Sequence, residues 1–177
     1  MSRGLGDVYK RQLIYEAFTY YDREVLPYKN DDVINAHAMP GAHAALKAVQ
    51  DAGLRCALFT NPSFPQGAIE CRMGWGDLAD APFELVTHMG NATRCKPDAT
   101  YYLEQLQVMG LEPHEVLMVG NDPKRDFPSP DCGIQTAFVG QGKPSRATWR
   151  GTMEDFARDF NAVIEAFYEH QIADELS

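Results

Sequence analysis

The chain has 177 residues, 45% hydrophobic and 23% charged, enough for one ordinary globular domain, or a small domain with part of an appendage, that buries a real core. Its fourteen Gly and eleven Pro are scattered, which excludes collagen-like and low-complexity chains. A net charge of −9 argues against a nucleic-acid partner, and no apolar run approaches the roughly 18 residues of a bilayer span, so no membrane partner is expected either.

Met1 to Gln12 carry Gly4 and Gly6 without periodicity and read as a non-native tail outside the fold. From Leu13 the pattern turns helical, with Ile14, Phe18, Tyr21 and Val25 on one face and Pro27 as the stop. A second helix runs from near Pro40 to Gly53, and Leu54–Phe59 follows as a short buried strand. The unit repeats: a helix over Pro65–Met73 and a strand near Phe83–Thr87; then a helix over Pro97–Met109, with Tyr102, Leu103 and Leu106 on one side and Gly110 as the stop. The short apolar run Val116–Val119 is a strand. A turn of helix at Pro130–Cys132 precedes a strand over Gln135–Val139. Thr152, with Asp155 three positions on, caps a final helix whose inner face holds Phe156, Phe160, Val163 and Phe167; that face reads as core or as a homodimer contact. Such alternation predicts an α/β fold, a Rossmann-like parallel sheet with helices on both faces.

In parallel sheets ligands bind beyond the carboxyl ends of the strands. Thr60 and Asn61 follow the first strand, and Asn121, Asp122 and Asp126 follow the third. Lys96 stands before Pro97 at a helix start, where backbone N–H groups favour an anion. A hydroxyl, a lysine and two carboxylates around one mouth suit a phosphate and Mg²⁺. The threonine donates to phosphoryl oxygens, the ammonium offsets their charge, and Asp122 and Asp126 offer hard oxygens to the cation. Singly, each also reads as a turn or a solvated charge.

Other polar groups carry less. Lys124, Arg125, Lys143, Arg146 and Arg150 read as solvated loop charges. Cys56, Cys71, Cys95 and Cys132 show no CxxC or zinc spacing and read as reduced thiols of a cytoplasmic protein. His37, His43, His88 and His114, like Trp75 and Trp149, read as surface or packing residues.

Three segments in order resemble the motifs of the haloacid dehalogenase-like hydrolase superfamily. ALFTNPSF, Ala57 to Phe64, is similar to the strand ending in Thr or Ser; CKPDATYY, Cys95 to Tyr102, to the Lys-Pro at a helix start; VLMVGNDPKRD, Val116 to Asp126, to the strand ending in acidic metal ligands. MPGAHAALKAVQDAGLRCALFTN, Met39 to Asn61, resembles the return from a helical cap to the core. The resemblance spans about Leu13 to Gly142. It implies Thr60, Asn61 and Lys96 as catalytic residues, Asp122 and Asp126 as ligands of Mg²⁺, and a small phosphorylated metabolite as substrate.

One motif is absent. Family members open on a strand bearing Asp-x-Asp, the first Asp attacking phosphorus and the second acting as acid and base; no such pair occurs here, and Asp22, Asp31 and Asp32 follow no apolar strand. The resemblance therefore implies a truncated member, inactive as written, with the central nucleophile strand missing, residues 13–38 a remnant of the helical cap and residues 39–177 the core. Leu54–Phe59 and Val116–Val119 should flank an open slot. Two other readings compete: a non-catalytic binding or regulatory module on the same fold, and a receiver-like phosphoacceptor domain, whose acidic residues precede rather than follow its Thr and Lys.

Overall fold

In the computed structural model, which describes residues 5–31 and 35–175, the chain divides into two units. One comprises residues 1–38 with 64–80, the other 39–63 with 81–177. Met1 to Gly4 of the expected tail, and Asp32, lie outside the described residues.

In the first unit, helix α1 spans Leu5–Tyr20, beginning well before Leu13. No helix breaker follows Gly6, and extending a formed helix is far cheaper than nucleating one. Beyond Tyr20 the backbone widens into a π turn, Tyr21–Val25, then tightens into a 3-10 turn, Leu26–Tyr28, with Pro27 in its first turn. The expected buried face is not found: Ile14, Phe18 and Tyr21 are exposed, as are Tyr9, Tyr15 and Tyr20. Apolar and aromatic residues surround this helix, so three- and four-residue spacing does not single out a stripe. Helix α3, Gln66–Trp75, packs against the π turn and buries Ala68 and Ile69. Asp22 is buried in this unit, which pushes its carboxyl above the usual carboxylate range.

Among the described residues, the second unit holds all the strands. Strand β1, Cys56–Leu58, pairs in parallel with β2, Phe83–Val86. A second parallel sheet has the order β3, Leu117–Gly120; β4, Gln135–Val139; β5, Trp149–Gly151. Alternation along β3 puts helices on both faces. Leu117 and Val119 pack with Ala137, Val139, Phe156, Phe160 and Val163, whereas Val116 and Met118 pack with Tyr101, Tyr102, Leu106 and Ile134. The first group involves helices α2 (Ala42–Asp51), α5 (Met153–Arg158) and α6 (Phe160–Glu175); the second involves α4 (Ala99–Met109). This is the expected Rossmann-like α/β arrangement.

Details differ. β5 was not foreseen; it is three residues long and owes its place to the ladder with Ala137–Val139. The final helix does begin with the reciprocal Thr152–Asp155 cap and does bury Phe156, Phe160, Val163 and Phe167, but it breaks at Asp159. α4 starts at Ala99 rather than Pro97, and its buried face is Tyr101, Tyr102, Gln105 and Leu106, leaving Leu103 exposed. Arg146 is more than a solvated charge, since its guanidinium donates to the Pro128 carbonyl. No described helix is long and apolar enough to cross a membrane.

Strands β1 and β3 share no ladder, as the slot requires. Both line one cavity of about 870 Å³, to which Ala57, Leu58, Met118 and Val119 contribute.

Candidate functional site

At the carboxyl end of β3 the chain turns tightly through residues 121–126, and Asp126 organises that turn. Its Oδ2 accepts the backbone N–H groups of Asn121 and Asp122 at 3.1 and 3.0 Å, and its Oδ1 accepts from Lys96 Nζ at 2.7 Å. Lys96 and Asp126 are only 10% and 13% exposed, so this is a largely buried ion pair. Gly120 makes the approach possible: a Cβ there would lie 2.5 Å from that of Asp126. Lys96 precedes a cis peptide bond to Pro97. The expected open helix start is closed, because Asp98 caps α4 by accepting from Thr100 N–H at 2.8 Å.

Thr60 sits just beyond β1 within another set of hydrogen bonds. Its N–H donates to Thr87 Oγ1 and its hydroxyl donates to the Thr87 carbonyl, both at 2.7 Å. Thr87 is fully buried at the end of β2, and its Oγ1 lies 2.8 Å from the Tyr101 hydroxyl, which donates to the Thr60 carbonyl at 2.6 Å. Asn61 is exposed, its carbonyl accepting from Ser63 N–H at 2.7 Å.

The structure thus joins Lys96 directly to Asp126, and both line the cavity with Asn121. Thr60 bonds to Thr87 and Tyr101 instead. Asp122 turns outward: its Oδ1 accepts from Lys124 N–H at 3.0 Å and its Oδ2 stands 3.5 Å from Arg125 Nε. Spacing alone missed Thr87, Tyr101 and Tyr102. The available signal was a threonine closing the apolar run FELVT and a tyrosine pair soon after Lys96.

The donor set does not fit Mg²⁺ as it stands. Lys96 and two backbone N–H groups take up both oxygens of Asp126, Asp122 points elsewhere, and no cluster of three His, Cys, Asp or Glu suited to a metal occurs among the described residues. A cation at Asp126 would have to share Oδ1 with the Lys96 ammonium, whose charge opposes it.

Residues 7–130 match the family described as haloacid dehalogenase-like hydrolase. The chain belongs to that family. Among curated proteins it is 30% identical over 115 residues to a phosphoglycolate phosphatase of Rhodospirillum rubrum, a match that covers 65% of this chain and 46% of that protein. The chain therefore spans about half the length of this relative. Among solved structures, a β-phosphoglucomutase from Clostridium difficile superposes with a TM-score of 0.61 at 15% identity, covering 75% of this chain and 57% of that one. A haloacid dehalogenase-like phosphatase from Thermococcus onnurineus gives 0.58 at 20% identity, covering 69% and 57%. These likenesses bear out the haloacid dehalogenase-like fold.

Proposed function

We propose that this chain carries part of the core of a haloacid dehalogenase-like phosphatase that acts on a small phosphorylated metabolite. The observation that supports the reading best is the buried Lys96–Asp126 pair at the end of β3. An ammonium has three N–H donors, and the carboxylate engages one. The others can meet a phosphate beside Asn121, so Lys96 binds and orients the anion while Asp126 keeps the lysine extended. Thr60 and Asn61, at the end of β1, enter the same proposal as donors to the phosphoryl group; for Thr60 to donate to a phosphoryl oxygen, its hydroxyl must rotate away from Thr87. Residues 13–38 belong to the cap in this reading.

The attacking carboxylate is the part this sequence does not supply, since it contains no Asp-x-Asp. No aspartyl-phosphate can form without it, so the expected result is that p-nitrophenyl phosphate is hydrolysed no faster by this polypeptide than by its Lys96→Ala variant. Turnover clearly above that control would overturn the assignment of roles.

Asp122 and Asp126, the ligands expected from the sequence, are not arranged to hold Mg²⁺ in this chain, so a small effect of the cation is the expectation. Stabilisation follows the logarithm of concentration over Kd, and a cation that must approach the Lys96 ammonium has a high Kd. Millimolar Mg²⁺ should therefore raise the thermal midpoint by no more than about 1 °C. A rise of several degrees, lost in Asp122→Asn, would show a formed cation site.

A further inference from the structure

Helix α4 does more than follow Lys96. Its first turn carries two adjacent tyrosines, and adjacent side chains on a helix point in different directions. Tyr101 reaches the loop after β1, where its hydroxyl donates to the Thr60 carbonyl at 2.6 Å. Tyr102 reaches the loop after β3, where its hydroxyl donates to the Asp126 carbonyl. Lys96, immediately ahead of the helix, bonds to the Asp126 side chain. We propose that Tyr101 and Tyr102 are positioning residues, one hydroxyl tethering the loop after β1 and the other the loop after β3 that carries the partner of Lys96, so that α4 sets the width of the phosphate site. This rests on the phosphate reading above.

The Tyr101 tether is part of a closed ring. With the Tyr101 proton directed at Thr60 O, the Thr87 hydroxyl can donate to Tyr101 Oη at 2.8 Å, its closest acceptor, the Thr60 carbonyl lying at 3.2 Å. The Thr60 N–H then completes the circuit by donating to Thr87 Oγ1. Every member both gives and receives, and such chains strengthen one another in a low-dielectric interior. Tyr101 and Tyr102 are both fully buried, their rings meeting edge to face at 5.1 Å with Phe59 against both. Burial pushes the Tyr101 hydroxyl up to about 12 and raises Tyr102 as well, so both remain protonated donors across the neutral range. Packing alone needs no hydroxyl: phenylalanine would fill the same space. What the oxygens add is a partner for one backbone carbonyl in each loop.

That difference can be measured by backbone amide NMR on the whole chain. Tyr101→Phe should move the amides of Thr60, Asn61 and Thr87 and leave residues 121–126 in place; Tyr102→Phe should do the reverse. Thr87→Val, which opens the ring from β2, should reproduce the Tyr101→Phe pattern. In titrations with inorganic phosphate, each variant should bind roughly 3- to 10-fold more weakly, the loss expected of one buried hydrogen bond. Leu103→Ala, exposed on the same helix, should change neither readout. Diffuse or identical shifts for the two phenylalanine variants, with phosphate affinity unchanged, would overturn the proposal. If the shifts still divide by loop but the wild type does not respond to phosphate, the tethers stand and the phosphate reading falls.

Discussion

Asp126→Ala is expected to lower the unfolding free energy by about 3–5 kcal/mol, a large fraction of the stability of an ordinary domain. The substitution strands three donors together. Lys96 keeps its charge in a largely buried place with no carboxylate at 2.7 Å, and the Asn121 and Asp122 N–H groups lose the acceptor that shapes the turn. The unpaired ammonium dominates, because leaving a buried charge alone costs more than its pair contributes over a neutral replacement. The order of the variants follows. Lys96→Met should be milder, since Asp126 retains two backbone donors, and Lys96→Met with Asp126→Ala should be less destabilised than the sum of the single changes. Urea unfolding of the four proteins measures this. A loss below about 1 kcal/mol for Asp126→Ala, the range of an exposed pair, would mean that the ion pair is solvated and contributes little.

The sequence exposed some parts of this arrangement and hid others for identifiable reasons. β4 was legible because Gln135–Val139, rich in β-branched and aromatic residues, lies between Gly133 and Gly140. The cap at Thr152 and Asp155 and the inward phenylalanines were legible because their spacing is local. β5 is not local: three residues with Trp149 at their head become a strand only through Ala137–Val139 on the neighbouring strand. The face of α4 was misjudged by one position, which exchanged exposed Leu103 for buried Tyr101. A tyrosine whose hydroxyl is satisfied by a backbone carbonyl buries as well as leucine, and apolar periodicity cannot see that acceptor. The site shows the same division. Lys96 and Asp126 were marked by their place relative to strand ends, whereas the ring that holds Thr60 needed Thr87 and Tyr101 to be brought together by the fold.

The chain is also expected to self-associate through the cavity between β1 and β3, and Ala57→Lys to suppress it. Each of these strands has one ladder partner, so each leaves one edge of backbone N–H and C=O groups unpaired. The edges border apolar side chains, and residues of both strands, Ala57, Leu58, Met118 and Val119 among them, line one cavity of about 870 Å³. Unpaired polar backbone beside apolar wall is a template for another strand, since an added segment satisfies the donors and covers the side chains at once. Edge strands resist this when they carry lysine, proline or a bulge that twists the edge away. Cys56–Leu58 and Leu117–Gly120 contain neither lysine nor proline, and Lys96 lines the cavity already paired with Asp126. The register irregularity in β1 falls between Cys56 and Ala57, which leaves Ala57 and Leu58 as a regular edge. A lysine at position 57 places a strongly hydrated charge where an incoming strand would pack, and it keeps the Cβ of this half-buried site. Sedimentation velocity should show the average mass of the wild type rising with concentration and that of Ala57→Lys staying near one chain, with far-ultraviolet circular dichroism confirming that the variant folds. A wild type that remains monomeric at every concentration would mean that the two edges are already closed to a further strand.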